Sequence, residues 1–235
     1  MTYQIVQNYD KGLAWYERQF SILPTARAVG EFTPNYFWTT EDGVGARDIP
    51  KLVHDAYPDL TLIVSLRNPV DRAISAYYHH IKQGRVSPRQ NISEAADHHG
   101  ITSMGYYDVH LNNWTRYYPL RHFLVLIYEH DLHDDCKRTT MRRVFQHIGV
   151  DDRFEPDGML AKYNVRRSDF DLRTRHYPSL IRRGLQRALP ERVRMSRIWD
   201  IAVGEDEKHM LADTFEPHNR KLEDLIGRTL PWPSE

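Results

Sequence analysis

Two short aliphatic runs, residues 60–66 and 123–128, have the length and continuous hydrophobicity of β-strands covered on both faces. Around them apolar positions recur at helical spacing over residues 44–57, 70–82, 107–117 and 137–148. Strand and helix therefore alternate, which predicts an α/β domain of three layers, with a central, mainly parallel sheet and helices on both faces. A shorter strand over 28–32 is expected to join that sheet. Leu13, Tyr16 and Phe20 mark an opening helix over 10–20, with Asp10 as its cap. Residues 84–104 lack periodicity and read as a long loop over one end of the sheet.

With 235 residues the chain can build one sizeable core, and a single domain over 1–235 is expected. Lys plus Arg and Asp plus Glu each number 32, so no global field draws the chain to nucleic acid or to an anionic membrane. Any anion site must be built locally, and the balance favours a small or neutral polymeric substrate. The lone Cys136 excludes an internal disulfide and a thiolate zinc cluster; a partly buried thiol in a reducing, cytoplasmic setting is expected. The apolar runs are too short to span a bilayer, and no metal is called for. Asn91-Ile-Ser93 and Asn113-Trp-Thr115 match the glycosylation sequon and are read as chance matches. One charge block stands out. Residues 162–197 carry eleven Lys or Arg against three Asp or Glu, which a solvated helical face around 180–189 accounts for.

The segment Ser65-Leu66-Arg67-Asn68-Pro69-Val70-Asp71-Arg72-Ala73-Ile74-Ser75 reads as a strand running into a helix. Asn68 suits the N-cap, Pro69 the first helical position, and Asp71 complements the positive helix end. Arg67 then stands at the carboxyl end of a strand, where open α/β sheets bind ligands, and its guanidinium can fork onto two phosphate oxygens. Arg72, Ser75 and His79 follow at spacings of three and four, on one helix face. Arginine, hydroxyl and helix terminus together make a phosphate site. The same residues also fit an Arg67–carboxylate pair and a packed serine.

The order Arg-x-Pro-x-x-Arg-x-x-Ser after an aliphatic strand resembles the 3′-phosphate-binding element of the sulfotransferase superfamily. Tyr9-Asp10-Lys11-Gly12-Leu13-Ala14-Trp15-Tyr16 and Gly30-Glu31-Phe32-Thr33-Pro34-Asn35-Tyr36-Phe37 resemble a helix and an acceptor-side strand and turn of its heparan sulfate branch. Further likeness lies in Gly105-Tyr106-Tyr107 to Trp114, Val125-Leu126-Ile127-Tyr128-Glu129, Val144 to Gly149 and Asn219 to Trp232. The resemblance implies a P-loop-NTPase-like sulfotransferase fold that uses 3′-phosphoadenosine 5′-phosphosulfate (PAPS), leaves 3′-phosphoadenosine 5′-phosphate (PAP), and acts on a hydroxyl or amine, with a carbohydrate favoured. It implies that Arg67 and Ser75 grip the 3′-phosphate, that Lys162, Arg166 and Arg167 neighbour the phosphates, and that His79 faces the acceptor. A surface histidine without that role fits His79 equally well. The family's Lys-Gly pair is absent near Lys162, and Phe32 stands where a lysine often follows the glutamate.

Sulfuryl transfer needs cationic or N–H donors on the bridging oxygen and a base near the acceptor. The superfamily draws the first from a Gly-rich loop with a lysine, and this chain carries no such loop; Gly43-Val44-Gly45 is too short. The family's acidic base is missing as well. These departures lead to the expectation of an amino-terminally truncated sequence, unstable and without appreciable transfer activity alone. The alternative is a noncatalytic remnant that binds nucleotide weakly or acts only with a partner chain. A phosphoryl-transferring kinase would need a Walker lysine and a magnesium-binding pair, and the basic block lacks a DNA-recognition motif.

Overall fold

A computed structural model describes residues 10–20, 24–39, 48–157 and 202–232. The architecture is α/β. β1 (Leu62–Leu66) and β2 (Phe123–Ile127) pair in parallel, in the register Leu62 to Phe123 through Leu66 to Ile127. Between them run α3 (Pro69–Lys82), α4 (Ile92–Ala95) and α5 (Tyr107–Thr115); α1 (Leu13–Glu17) and α2 (Ile49–Ala56) precede, and α6 (Tyr128–Asp131), α7 (Lys137–His147) and α8 (Glu205–Ile226) follow. Both expected strands form, each trimmed at its ends. Four of the expected helices form too, within a few residues of their predicted bounds; of the span expected for α2, 44–47 lie outside the described residues.

Other expectations are corrected. Residues 28–32 form no strand: Val29 is 53% and Phe32 89% exposed, so the side chains that would have buried a strand face meet solvent instead. β1 is not covered on both faces, because Ile63 and Ser65 alternate outward while Leu66 is buried. The opening helix shrinks to five residues, and Gly12, at a φ of 75°, takes the N-cap in place of Asp10. Glycine adopts that left-handed backbone without steric penalty.

The stretch read as a loop is pinned to the core. Asn91 and Glu94 form a reciprocal capping box at the start of α4, and Ile92, Ala95 and Ile101 are buried. Tyr77 of α3 donates its hydroxyl to the Gln90 carbonyl at 2.7 Å. Asn91 of the first sequon therefore works as a helix cap.

Helix α8 is an element that the pattern reading left out. Leu211, Phe215 and Leu222 recur on one face and are buried against the rest, despite Pro217 inside the helix. It packs on α5 and α3, and the approach is close: a Cβ on Gly105 would lie 2.5 Å from the Phe215 ring. Among the described residues, two clusters make up the core. One joins α3, α4, Ile101 and α8; the other joins the ends of both strands, α5 and the closing Leu230 and Trp232.

Candidate functional site

The turn between β1 and α3 is fixed from three sides. Asn68 caps the helix, its side-chain oxygen accepting from the Val70 N–H at 2.9 Å and the Asp71 N–H at 3.4 Å, and Pro69 begins it. The Asn68 N–H donates to Glu129 at 2.8 Å. The buried Tyr107 donates its hydroxyl to the Arg67 carbonyl at 2.9 Å. Burial pushes the Tyr107 hydroxyl up to about 12, against the pull of the nearby Arg72, so it remains a donor.

Arg67 leaves this turn at the end of β1. Its Nη2 lies 3.4 Å from Asp71, and its guanidinium carbon sits 5.5 Å from the centre of the Tyr128 ring. The pair with Asp71 is half-exposed on both sides, so it is worth at most about 1 kcal/mol. Arg67 Nε, by contrast, is buried with no hydrogen-bond partner among the described residues. A second acceptor is what this guanidinium lacks.

Ser75 and His79 are exposed on α3. The His79 ring stands edge-on to His80 at 5.5 Å, in the last turn, where cationic side chains complement the helix dipole. Arg72 does not share their surroundings. Its Nη2 donates to the Ile101 carbonyl, which ties it to the 84–104 segment, while its Nε, like that of Arg67, is buried without a hydrogen-bond partner among the described residues. The amino terminus of α3 also plays a smaller part than expected. Because Asn68 already occupies its first N–H groups, an anion there would be held by side chains and the helix dipole. Lys162, Arg166 and Arg167 lie outside the described residues.

Sequence reasoning quoted Tyr128 and Glu129 within a run that resembles the family but gave neither a role. The strand register carries the missing signal: Leu66 pairs with Ile127, so one step on Arg67 meets Tyr128, and two steps on Asn68 meets Glu129.

The 30–37 segment packs nearby through Phe37, whose ring lies 6.4 Å from Tyr107 and 5.5 Å from His110. Buried His110 ties Thr39, two residues further on, to α5. Its Nε2 meets the Ser103 carbonyl at 2.9 Å and must donate, which leaves Nδ1 to accept from the Thr39 N–H at 3.3 Å. Burial and the Glu31 carboxylate both push the Tyr16 and Tyr36 hydroxyls up, placing Glu31 among aromatic neighbours.

Known proteins resemble this arrangement. A family model described as a sulfotransferase domain matches residues 49–170, which take in the strands, the turn and α3. The mouse heparan sulfate glucosamine 3-O-sulfotransferase 6 is 38% identical over 125 residues, covering 49% of this chain and 34% of that protein. The human heparan sulfate glucosamine 3-O-sulfotransferase 5 is 22% identical over 240 residues, covering 97% of this chain and 63% of that protein. The chain thus spans less than two thirds of the length of either relative. A sulfotransferase from Alicyclobacillus acidocaldarius shares the fold, with a TM-score of 0.62 at 22% identity, over 94% of this chain and 73% of that one. With the family model covering half its length and the strand-turn-helix at its centre, this chain belongs to the sulfotransferase family.

Proposed function

We propose that this protein transfers a sulfonate group from PAPS to a hydroxyl or amine of a carbohydrate. The observation that carries the reading is Arg67 at the carboxyl end of β1, with a weakly engaged guanidinium and an unpartnered buried Nε, followed by an exposed Ser75 on α3. These residues fit the 3′-phosphate. Phosphate oxygens would supply the acceptors that Arg67 lacks, and they would displace a contact to Asp71 of little worth. The donor supplies an activated sulfonate. Its sulfur–oxygen bond to the 5′-phosphate breaks as a bond from sulfur to the acceptor oxygen or nitrogen forms, leaving PAP. The acceptor's proton passes to a base.

His79 is assigned to the acceptor side, where an imidazole orients the nucleophile or donates to the sulfonate. Lys162, Arg166 and Arg167 are assigned to the nucleotide phosphates. The carbohydrate acceptor is supported by the relatives, which are heparan sulfate glucosamine 3-O-sulfotransferases.

A second reading, nucleotide binding without turnover, is favoured by one feature: the 235 residues contain no Gly-rich loop with a lysine to bear on the bridging oxygen. Incubating the chain with PAPS radiolabelled in its sulfonate, together with glucosamine-containing oligosaccharides, separates the two. Label transfer that is lost in Arg67→Ala and reduced in His79→Ala supports catalysis. Binding of PAP without transfer supports the second reading, and neither binding nor transfer defeats both.

A further inference from the structure

Glu129 bridges the Arg67–Asn68 turn and the closing segment of the chain. One carboxylate oxygen accepts the Asn68 N–H at 2.8 Å and the other accepts the Trp232 Nε1–H at 2.9 Å. Asn68 is thereby held on both sides, its N–H by Glu129 and its side chain by the first turn of α3. Trp232 in turn is buried against Tyr107, with ring centres 5.9 Å apart, and Tyr107 is the residue that donates to the Arg67 carbonyl. The segment before Trp232 is itself fixed. Arg228 pairs with Asp131 at 2.9 Å, and the Leu230 N–H donates to Glu223 at 2.7 Å.

We propose that Glu129 is a positioning residue for the 3′-phosphate site: it fixes the Arg67–Asn68 turn and couples it to the closing segment through Trp232. The inference rests on the assignment of Arg67 to the 3′-phosphate. Two N–H donors converge on two oxygens, a demand that a carboxylate meets and an amide does not, because an amide has one accepting oxygen. Charge cannot be the reason for a carboxylate here. A negative group one residue beyond Tyr128 opposes a bound phosphate, so removing its charge without moving Arg67 would raise affinity for an anion.

The opposing signs make the test direct. Calorimetry with PAP and with adenosine 5′-monophosphate gives the preference for the 3′-phosphate as a ratio of affinities, measured for the parent chain, Glu129→Gln, Trp232→Phe and Arg67→Ala. Glu129→Gln is expected to lower that ratio by about three- to tenfold while the affinity for the monophosphate stays within about twofold. Trp232→Phe removes the Nε1–H together with part of the buried indole while Glu129 keeps its contact to Asn68, and it is expected to lower the ratio less, by about two- to threefold. An unchanged or raised ratio in Glu129→Gln overturns the proposal, as does an equal loss for both nucleotides, which marks a merely structural role. Should Glu129→Gln fail to fold, an unchanged ratio in Trp232→Phe overturns it in the same way. If Arg67→Ala also leaves the ratio intact, the phosphate assignment itself falls; if Arg67→Ala abolishes the preference and Glu129→Gln does not touch it, only the role of Glu129 falls.

Discussion

The Tyr107 hydroxyl donates to the carbonyl oxygen of Arg67 at 2.9 Å, so a residue on α5 holds the backbone of the arginine assigned to phosphate. Tyr107 is buried, and that carbonyl lies just past the last strand residue, Leu66. Tyr107→Phe keeps the ring and leaves the carbonyl without this donor. The cost is expected at about 1 to 2 kcal/mol, which in a domain of this size lowers the thermal midpoint by roughly 2 to 8 °C. Thermal unfolding followed by circular dichroism checks it. No shift would mean that water replaces the phenol.

Asp131 is a buried charge that follows the end of β2. It accepts from the Ile127 N–H at 2.6 Å and pairs with Arg143 at 3.0 Å and Arg228 at 2.9 Å, while its carbonyl accepts the Thr140 hydroxyl. Burial pushes its carboxyl up, but Arg228, the Ile127 N–H and His130 outweigh that and hold it well below the usual carboxylate range. A carboxyl depressed in the folded state stabilises above its unfolded value of about 3.9, and the contribution is lost as pH falls below it. Asp131→Asn is expected to cost about 2 to 3 kcal/mol at pH 7, less than a wholly buried pair because both arginines are partly exposed. Urea unfolding should show that cost shrinking toward pH 3.

His80 governs a different pH window. It is buried on α3, its ring stacks on His99 at 5.0 Å, and Arg85 Nη1 lies 3.2 Å from its Nδ1. Burial, then His99, Arg85 and His79, lower its pKa to about 4. The unfolded value is about 6.5, so the chain binds more protons when unfolded between those limits, and stability falls as pH drops from 6.5 to 4. His80→Asn cannot titrate and is expected to flatten that slope. A parent chain whose urea midpoint is the same at pH 7 and pH 5 would contradict the assignment.

The strands and the Asn68–Pro69 helix start were legible because each depends on local chemistry: aliphatic runs and a capping side chain. Helix α8 was legible in principle from Leu211, Phe215 and Leu222, but Pro217 and the charged residues around them mask the period. The role of Arg72 was not legible. Its partner is a carbonyl 29 residues away, and nothing in local spacing separates an arginine that anchors a loop from one that meets a ligand. The role of Glu129 stayed hidden for a related reason, since its contacts depend on the register between two strands 61 residues apart.

The central claim is that Arg67 and Ser75 recognise a 3′-phosphate, and calorimetry with PAP against adenosine 5′-monophosphate tests it most directly. A charge-assisted contact of about 1.5 to 3 kcal/mol predicts a preference of roughly ten- to a hundredfold for the 3′-phosphorylated nucleotide. Arg67→Ala should abolish that preference. Arg67→Lys keeps the charge without the planar fork and should reduce it. Equal affinities of the parent chain for the two nucleotides would contradict the account.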